Sequence, residues 1–125
     1  MRSPIDRRIP VSSVTIALAL VAGSCANINR TEAQDTVRVF KYAGSVQCTG
    51  GGSDLPTIER QLTDGGLKVL SAACATDGRM RMAMCGANDG RLAIFEISGS
   101  DAESASKLGF IPLSKLPDAK VASCQ

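Results

Sequence analysis

The chain of 125 residues has no histidine and no tryptophan, and its aromatic residues are three phenylalanines and one tyrosine. Without histidine, a Ser–His–Asp hydrolase triad and a mixed Cys/His zinc site are both excluded. The cysteines form no C-x-x-C motif of the kind that disulfide oxidoreductases use, and no closely spaced zinc-ribbon pairs. No pair of carboxylates is placed for acid–base chemistry. We therefore predict no catalytic residue, no metal site and no cofactor, and enzyme function has no positive support.

The charge balance of the chain is set by its first residues. The whole chain carries 14 Lys and Arg against 12 Asp and Glu, a net charge of +2. Three of these arginines and one of the aspartates lie within residues 1–8, so the rest of the chain has 11 residues of each sign. A neutral domain with few aromatics lacks the positive surface that nucleic-acid binding needs. We expect no nucleic-acid partner.

Residues 1–26 have the order of an export signal. Three arginines precede an apolar core at 14–22, which is too short to span a bilayer, and small residues follow it. Ser24 and Ala26 occupy the −3 and −1 positions of a signal-peptidase site, which predicts a mature chain that starts at Asn27. The alternative is an N-terminal helix that is kept in the mature fold.

The same region, "VAGSC" at 21–25, resembles a bacterial lipoprotein signal, in which Cys25 would be lipidated and become the first residue. Ala22 stands where such signals usually carry leucine. Plain cleavage and lipidation both stay open. Either route predicts an exported protein. Plain cleavage predicts the periplasm, whereas lipidation predicts an anchor at the outer membrane whose only membrane contact is the lipid on Cys25.

Four cysteines remain after either route of processing: Cys48, Cys74, Cys85 and Cys124. An even number in a short exported chain predicts two disulfides. Pairing of Cys74 with Cys85 is disfavoured, because a hairpin turn near Asp77 would place them out of register. We expect Cys48–Cys74 and Cys85–Cys124, with the crossed pairing as the open alternative.

Hydrophobic periodicity and turn residues predict one α+β domain over residues 36–125, preceded by a polar linker at 27–35. The predicted strands are 36–43, 67–74, 79–86 and 91–97, and the predicted helices are 54–64 and 100–108. Ser100 and Glu103 form a possible capping box for the second helix. The order β-α-β-β-β-α, with an edge segment at 110–113 and a loop tail from Ser114, is loosely ferredoxin-like. We expect both helices on one face of a mostly antiparallel sheet.

Met80, Met82 and Met84 alternate along the predicted third strand and therefore share one face of it. Because a flexible thioether fills irregular gaps in a core, we expect this face to pack under the helices. The alternative is a soft-metal site of the copper type that uses these methionines and the cysteines. Alternation, however, points Cys85 away from the three sulfurs.

Three further sequence patterns resemble functional motifs, but each has a simpler explanation that involves no function. "CTGGGSD" at 48–54 precedes a helix but lacks the G-K-[ST] ending of a phosphate loop, so we expect a turn rather than an anion site. Asp77 and Asp89 lack calcium-loop spacing and are expected to serve turns. Ser104 and Lys107 have the spacing of a Ser–Lys dyad, which we interpret as accidental.

The segments "KYAGSVQC" at 41–48, "DGRMRMAMCG" at 77–86 and "LGF" at 108–110 resemble small bacterial envelope proteins that carry export or lipoprotein signals. The resemblance implies a location and no activity. The leading hypothesis is a non-catalytic exported binding or interaction module, whose partner is an envelope protein or a small ligand. The alternatives are soft-metal handling, a small periplasmic hydrolase, or an inhibitor of one.

The intact mass of the native protein tests processing and oxidation together. We expect the mass of residues 27–125, or of 25–125 plus lipid, in each case less two hydrogens for each disulfide. A mass that includes residues 1–26 and four free thiols would contradict both predictions.

Overall fold

The computed structural model of the chain describes residues 35–124. The signal peptide predicted for 1–26, its Cys25 and the linker predicted for 27–35, except its last residue, lie outside the described residues. Within 35–124 the strands are β1 Thr36–Tyr42, β2 Val69–Thr76, β3 Arg91–Ser98, β4 Ile111–Pro112 and β5 Lys120–Val121, and the α-helices are α1 Leu55–Asp64 and α2 Ala102–Lys107. No helix of this described part has the length and hydrophobicity to cross a membrane.

The strands of the described region form one antiparallel sheet in the order β4-β1-β3-β2-β5. β3 lies at the centre and pairs with β1 along its full length and with β2 across a bulge between Val69 and Ser71. The chain order from β1 to β4 is β-α-β-β-α-β, which is ferredoxin-like, and β5 extends the edge next to β2. The predicted α+β class with an antiparallel sheet is therefore confirmed.

The predicted third strand at 79–86 is wrong, because residues 77–90 form a loop between β2 and β3. Asp77 directly follows β2, and its buried carboxylate binds the Arg81 guanidinium and accepts a hydrogen bond from the Arg79 backbone N–H. A buried carboxylate needs such partners, so the chain curls around Asp77 instead of continuing as a strand. β2 also begins and ends two residues later than predicted.

α1 begins and ends close to where its local sequence predicts. The backbone N–H of Thr57 donates to the Asp54 side chain at 3.0 Å, so Asp54 is the N-cap. Pro56 lies in the first turn, where no hydrogen-bond donor is needed, and Gly65 follows the last helical residue. Ile58 is buried on the side of α1 that faces the sheet.

The capping box predicted for α2 is not formed. The Ser100 hydroxyl contacts the Ser98 hydroxyl at 2.9 Å, because a turn of 3₁₀ helix precedes α2 and carries Ser100 out of the cap position. Glu103 forms an ion pair with Lys107 at 2.7 Å instead. α2 ends as expected, since Gly109 adopts a φ of +85° just after it.

Each face of the sheet is covered by a different layer. Both helices pack on one face, as predicted, in the cluster Val39, Ile58, Leu62, Leu67, Ala93, Phe95, Ile97, Ala105 and Phe110. The opposite face holds the cluster Phe40, Ala75, Leu92, Ile94 and Leu116. Leu116 belongs to the C-terminal tail, which was predicted to be a loop and instead contains a 3₁₀ turn and β5. The tail thus closes the second face of the sheet.

The two disulfides within the described residues are Cys48–Cys85 and Cys74–Cys124, with Cα–Cα distances of 5.1 and 5.2 Å. The expected pairing of Cys48 with Cys74 is wrong, and the crossed alternative is the one formed. The expectation depended on a strand at 79–86, and the loop brings Cys85 to Cys48 instead. The tail passes beside β2, where the Ala122 N–H donates to the Cys74 carbonyl at 2.9 Å. Two disulfides suit an oxidising compartment outside the cytoplasm.

Digestion with trypsin without reduction tests this connectivity, because each of the four cysteines falls in a different peptide. We expect 42–60 to be joined to 82–91, and 69–79 to be joined to 121–125. Mass spectrometry of the linked peptides gives the result. A species that joins 42–60 to 69–79 would show that the pairing is not the crossed one.

Candidate functional site: an anchored methionine loop

Residues 79–85, here called the methionine loop, place three large apolar side chains in solvent. Met80 is fully exposed, Met82 is 83% exposed and Met84 is 58% exposed. The prediction that these side chains pack under the helices is therefore wrong. Single exposed apolar residues are common on protein surfaces, whereas three of them within seven residues make this segment a candidate for an interaction site. The methionine loop is the candidate functional site.

The structure directs Arg81, rather than the methionines on either side of it, toward the protein. The Arg81 guanidinium binds the carboxylate of Asp77, whose side chain is 2% exposed. Met80 and Met82, on either side of Arg81, are directed to solvent. The buried charge, rather than the apolar side chains, decides which face of the loop meets the protein.

The first anchor of the loop is the hydrogen-bond network of Asp77. Its carboxylate accepts from the Tyr42 hydroxyl and from the Arg79 backbone N–H, each at 3.1 Å, and it pairs with Arg81. Burial raises the pKa of Asp77, but these hydrogen bonds together outweigh burial, so the pKa lies below its ordinary value. Burial and the Asp77 contact raise the pKa of Tyr42. Asp77 is therefore a charged carboxylate that fixes the start of the loop.

Gly90 makes room for this network from the other end of the loop. A Cβ atom at Gly90 would lie 2.7 Å from Asp77 Oδ1 and 3.0 Å from Arg81 Nε, and the φ of Gly90 is +83°. Both the space and the backbone conformation therefore require glycine. Gly90 ends the sequence "NDG" at 88–90, whose residue types are typical of tight turns, and it also makes room for the Asp77–Arg81 ion pair.

The second anchor is Gln47, which holds the C-terminal half of the loop. Its side-chain amide donates to the Met82 carbonyl at 3.1 Å and accepts from the Met84 N–H at 3.0 Å. A carbonyl and an N–H two residues apart point the same way in an extended chain, so Gln47 acts as a neighbouring strand would. The Gln47 backbone also bonds Gly86 and Ala87, at 3.1 and 2.8 Å. Residues 82–84 are therefore extended.

The Cys48–Cys85 disulfide closes the end of the loop. Cys48 has a φ of +75°, a left-handed conformation that costs a residue other than glycine about 1–2 kcal/mol. The backbone bonds between Val46 and Gly50, at 2.9 and 3.0 Å, form the turn that presents Cys48 to its partner. The expectation that "CTGGGSD" serves as a turn for Cys48 is confirmed.

The start of α1 carries a negative charge of its own. The Asp54 carboxylate accepts from Thr57, and these hydrogen bonds lower the pKa of Asp54. Pro56 has no N–H, so the helix end offers few free donors. Asp54 therefore takes the place that a bound anion would need.

A cavity of about 660 Å³ lies between the start of α1, the adjoining strand ends and the C-terminal tail. Its walls include Leu55, Leu92 and the Cys74–Cys124 disulfide. A cavity of this size and lining suits a small, largely apolar molecule. Its charged groups have partners of their own, since Asp54 caps α1 and Arg91 lies 3.9 Å from Asp89.

The remaining candidates have structural roles. Asp77 and Asp89 accept hydrogen bonds from backbone N–H groups two residues ahead, at 3.1 and 3.0 Å, so their predicted turn roles are confirmed. Lys107 is paired with Glu103 and not directed to Ser104. Residues 35–124 contain no cluster of three or more histidine, cysteine, aspartate or glutamate side chains able to hold a metal.

The disulfides also correct the soft-metal hypothesis. All four cysteines predicted to remain after processing are disulfide-bonded, so none of them supplies a thiolate. Any soft-metal site of the described region must therefore be built from thioethers alone. Sequence reasoning missed the residues that shape the loop, which are Tyr42, Gln47 and Gly90. The one signal available was the polar turn residues on both sides of the methionines.

Comparison of the chain with protein-family models, curated proteins and solved structures gives no match. A ferredoxin-like order is compatible with many unrelated activities, because function depends on the site rather than on the fold. The geometry of the methionine loop is therefore what identifies the candidate site.

Replacement of Asp77 by asparagine tests the first anchor. A carboxylate whose pKa is lowered on folding stabilises the protein fully above its unfolded-state pKa of about 3.9, and this stabilisation is lost as the pH falls through the folded-state pKa. We expect Asp77→Asn to lower the free energy of unfolding by about 1–3 kcal/mol at pH 7. Because the wild type loses its advantage in acid, the difference should shrink toward pH 2.

Urea denaturation at both pH values measures this difference. Asp64→Asn, at the exposed end of α1, is the control and should have little effect at either pH. An equal deficit of Asp77→Asn at both pH values would show that the charge of Asp77 does not stabilise the fold.

Proposed function

We propose that this protein is a non-catalytic binding module of the bacterial cell envelope and that the methionine loop is its binding surface. The observation that carries the proposal is the exposure of Met80, Met82 and Met84 on one short segment. Methionine is flexible and polarizable, is used on surfaces that adapt to partners, and is enriched in protein interfaces. The ligand is an envelope protein or a small ligand that offers apolar or soft groups.

The way in which the loop is held supports this role. The Asp77–Arg81 ion pair lies at its start, the Cys48–Cys85 disulfide at its end, and Gln47 between them. A backbone that is already ordered loses less conformational entropy when a ligand binds. The thioether arms keep their rotamer freedom because they lie in solvent. The loop therefore combines a fixed frame with adaptable contact groups.

The disulfides and the sequence pattern support the proposed location. Disulfides form and persist in oxidising compartments, and residues 1–26 have the pattern of an export signal. We propose the periplasm as the site of action, or the outer membrane if Cys25 is lipidated. In the second case, residues 27–35 would be the tether between the lipid and β1.

Oxidative footprinting tests the binding surface without assuming the kind of ligand. Exposed methionines are oxidised to sulfoxides, and a bound ligand of any class should shield them. We expect Met80, Met82 and Met84 to be oxidised several-fold more slowly by dilute peroxide in intact cells than in the purified protein at equal peroxide exposure. Mass spectrometry of the peptides gives the rates.

Leu70→Met provides the matched control. Leu70 is 42% exposed on β2 and lies outside the methionine loop. A methionine there reports peroxide access without the proposed ligand, so its rate should be the same in both settings. If the loop methionines show the same ratio of rates as residue 70, the loop is not occupied in cells and the proposal is wrong.

A further inference from the structure

We infer that the ligand of the methionine loop is a single Cu(I) ion, bound by the thioether sulfur of Met82 together with that of a neighbouring loop methionine, Met80 or Met84. The inference rests on the proposed function and names the ligand of that surface. It depends on three features: the donors that the loop offers, their spacing on an extended backbone, and the charges around them.

The donor set of the loop selects a soft ion. Its seven residues, "RMRMAMC", include three thioethers and no carboxylate, and the chain has no histidine. Cys85 is closed in the disulfide with Cys48, so it supplies no thiolate. Hard and borderline ions such as Mg²⁺, Ca²⁺ and Zn²⁺ prefer oxygen, imidazole or thiolate ligands, whereas thioethers suit Cu(I). The donor set of the loop therefore favours Cu(I) over these other ions.

The spacing of the methionines allows their sulfurs to meet. The two bonds from Gln47 keep residues 82–84 extended, so Met82 and Met84 lie on one side, roughly 6–7 Å apart along the chain. Each side chain has three rotatable bonds and is free in solvent, so neighbouring sulfurs can turn toward one point. Met82 is the middle residue and can share an ion with either neighbour.

Arg81 leaves the outer face clear for this convergence. Its side chain is directed to Asp77, on the inner side of the loop, so no side chain stands between Met80 and Met82. The ion pair with the buried Asp77 carboxylate also reduces the repulsion that a free Arg81 would exert on a cation. Arg79 remains an exposed positive charge, and it repels a univalent ion half as strongly as a divalent one. The local charge therefore also favours Cu(I).

Titration of the purified protein with Cu(I) tests the inference. The measurement is made without oxygen and with ascorbate, which keeps copper reduced and leaves the disulfides closed, against a coloured Cu(I) chelator. We expect one ion per chain. Changes outside the first coordination shell already cost about 10–100-fold in metal affinity, so Met82→Leu should weaken binding by at least about tenfold. The triple Met→Leu variant should not compete with the chelator.

Leucine is the chosen replacement because it keeps an apolar side chain of similar size. Leu70→Met on the triple-leucine background is the control, since it restores one thioether at an unrelated exposed place and should not restore binding. Carbon-13 labelling of the methionine methyl groups gives a second readout. The signal of Met82 and that of at least one neighbouring loop methionine should shift with one equivalent of Cu(I) and not with Zn²⁺.

Two results would overturn the inference: failure of the wild type to compete for Cu(I), or equal competition by the triple-leucine variant. Footprinting in cells then decides the fate of the proposed function. If the loop methionines stay protected in the presence of a Cu(I) chelator, the surface binds a protein or another ligand, and only the copper inference fails. If they are unprotected and copper does not bind, both proposals fail.

Discussion

The buried carboxylate of Asp77 is the constraint on which the methionine loop depends. A charge that is taken out of water must be met by opposite charge and hydrogen bonds, and Asp77 obtains these from Arg81, the Arg79 N–H and Tyr42. Meeting this requirement ends β2, curves the chain, and turns Arg81 inward. The outward direction of the methionines is a consequence of where one carboxylate was placed. Gly90 completes the arrangement because no larger residue would fit beside the pair.

The two disulfides stabilise different parts of the protein, one the core and the other the methionine loop. They close segments of 37 and 50 residues, and loop entropy alone assigns each about 4 kcal/mol, although the two segments overlap and the values do not simply add. Cys74–Cys124 fixes the tail that covers the second face of the sheet. Cys48–Cys85 fixes the end of the methionine loop and holds Cys48 in a left-handed conformation. In a domain this small, such closures replace part of the stability that a larger core would give.

The features that the sequence predicts correctly are those determined by residues close together in the chain. The cap at Asp54, the stop after α2 and the apolar run of β3 each depend on residues a few positions apart. The continuous burial of that run, at 92–95, requires cover on both faces of the sheet, which a looped tail does not suggest. The methionine loop depends on Gln47 and Tyr42, each 35 or more residues distant. An alternating sequence indicates that the two sides of a segment differ, but it does not indicate which side is buried. The predicted pairing of Cys48 with Cys74 was wrong for the same reason, because it assumed a strand at 79–86.

The three methionines lie in solvent, outside the layered core, and this supports the proposal of a ligand. The helices pack on one face of the sheet and the tail on the other, and none of the three methionines belongs to either cluster. Each methionine that stays in water forgoes roughly 1.5–3 kcal/mol of burial free energy. A loop whose only task was to join β2 and β3 would fold as well with polar residues at these positions, because its anchors use Asp77, Arg81, Gln47 and Cys85. The thioethers take no part in these anchoring contacts, which supports the proposal that they serve a ligand.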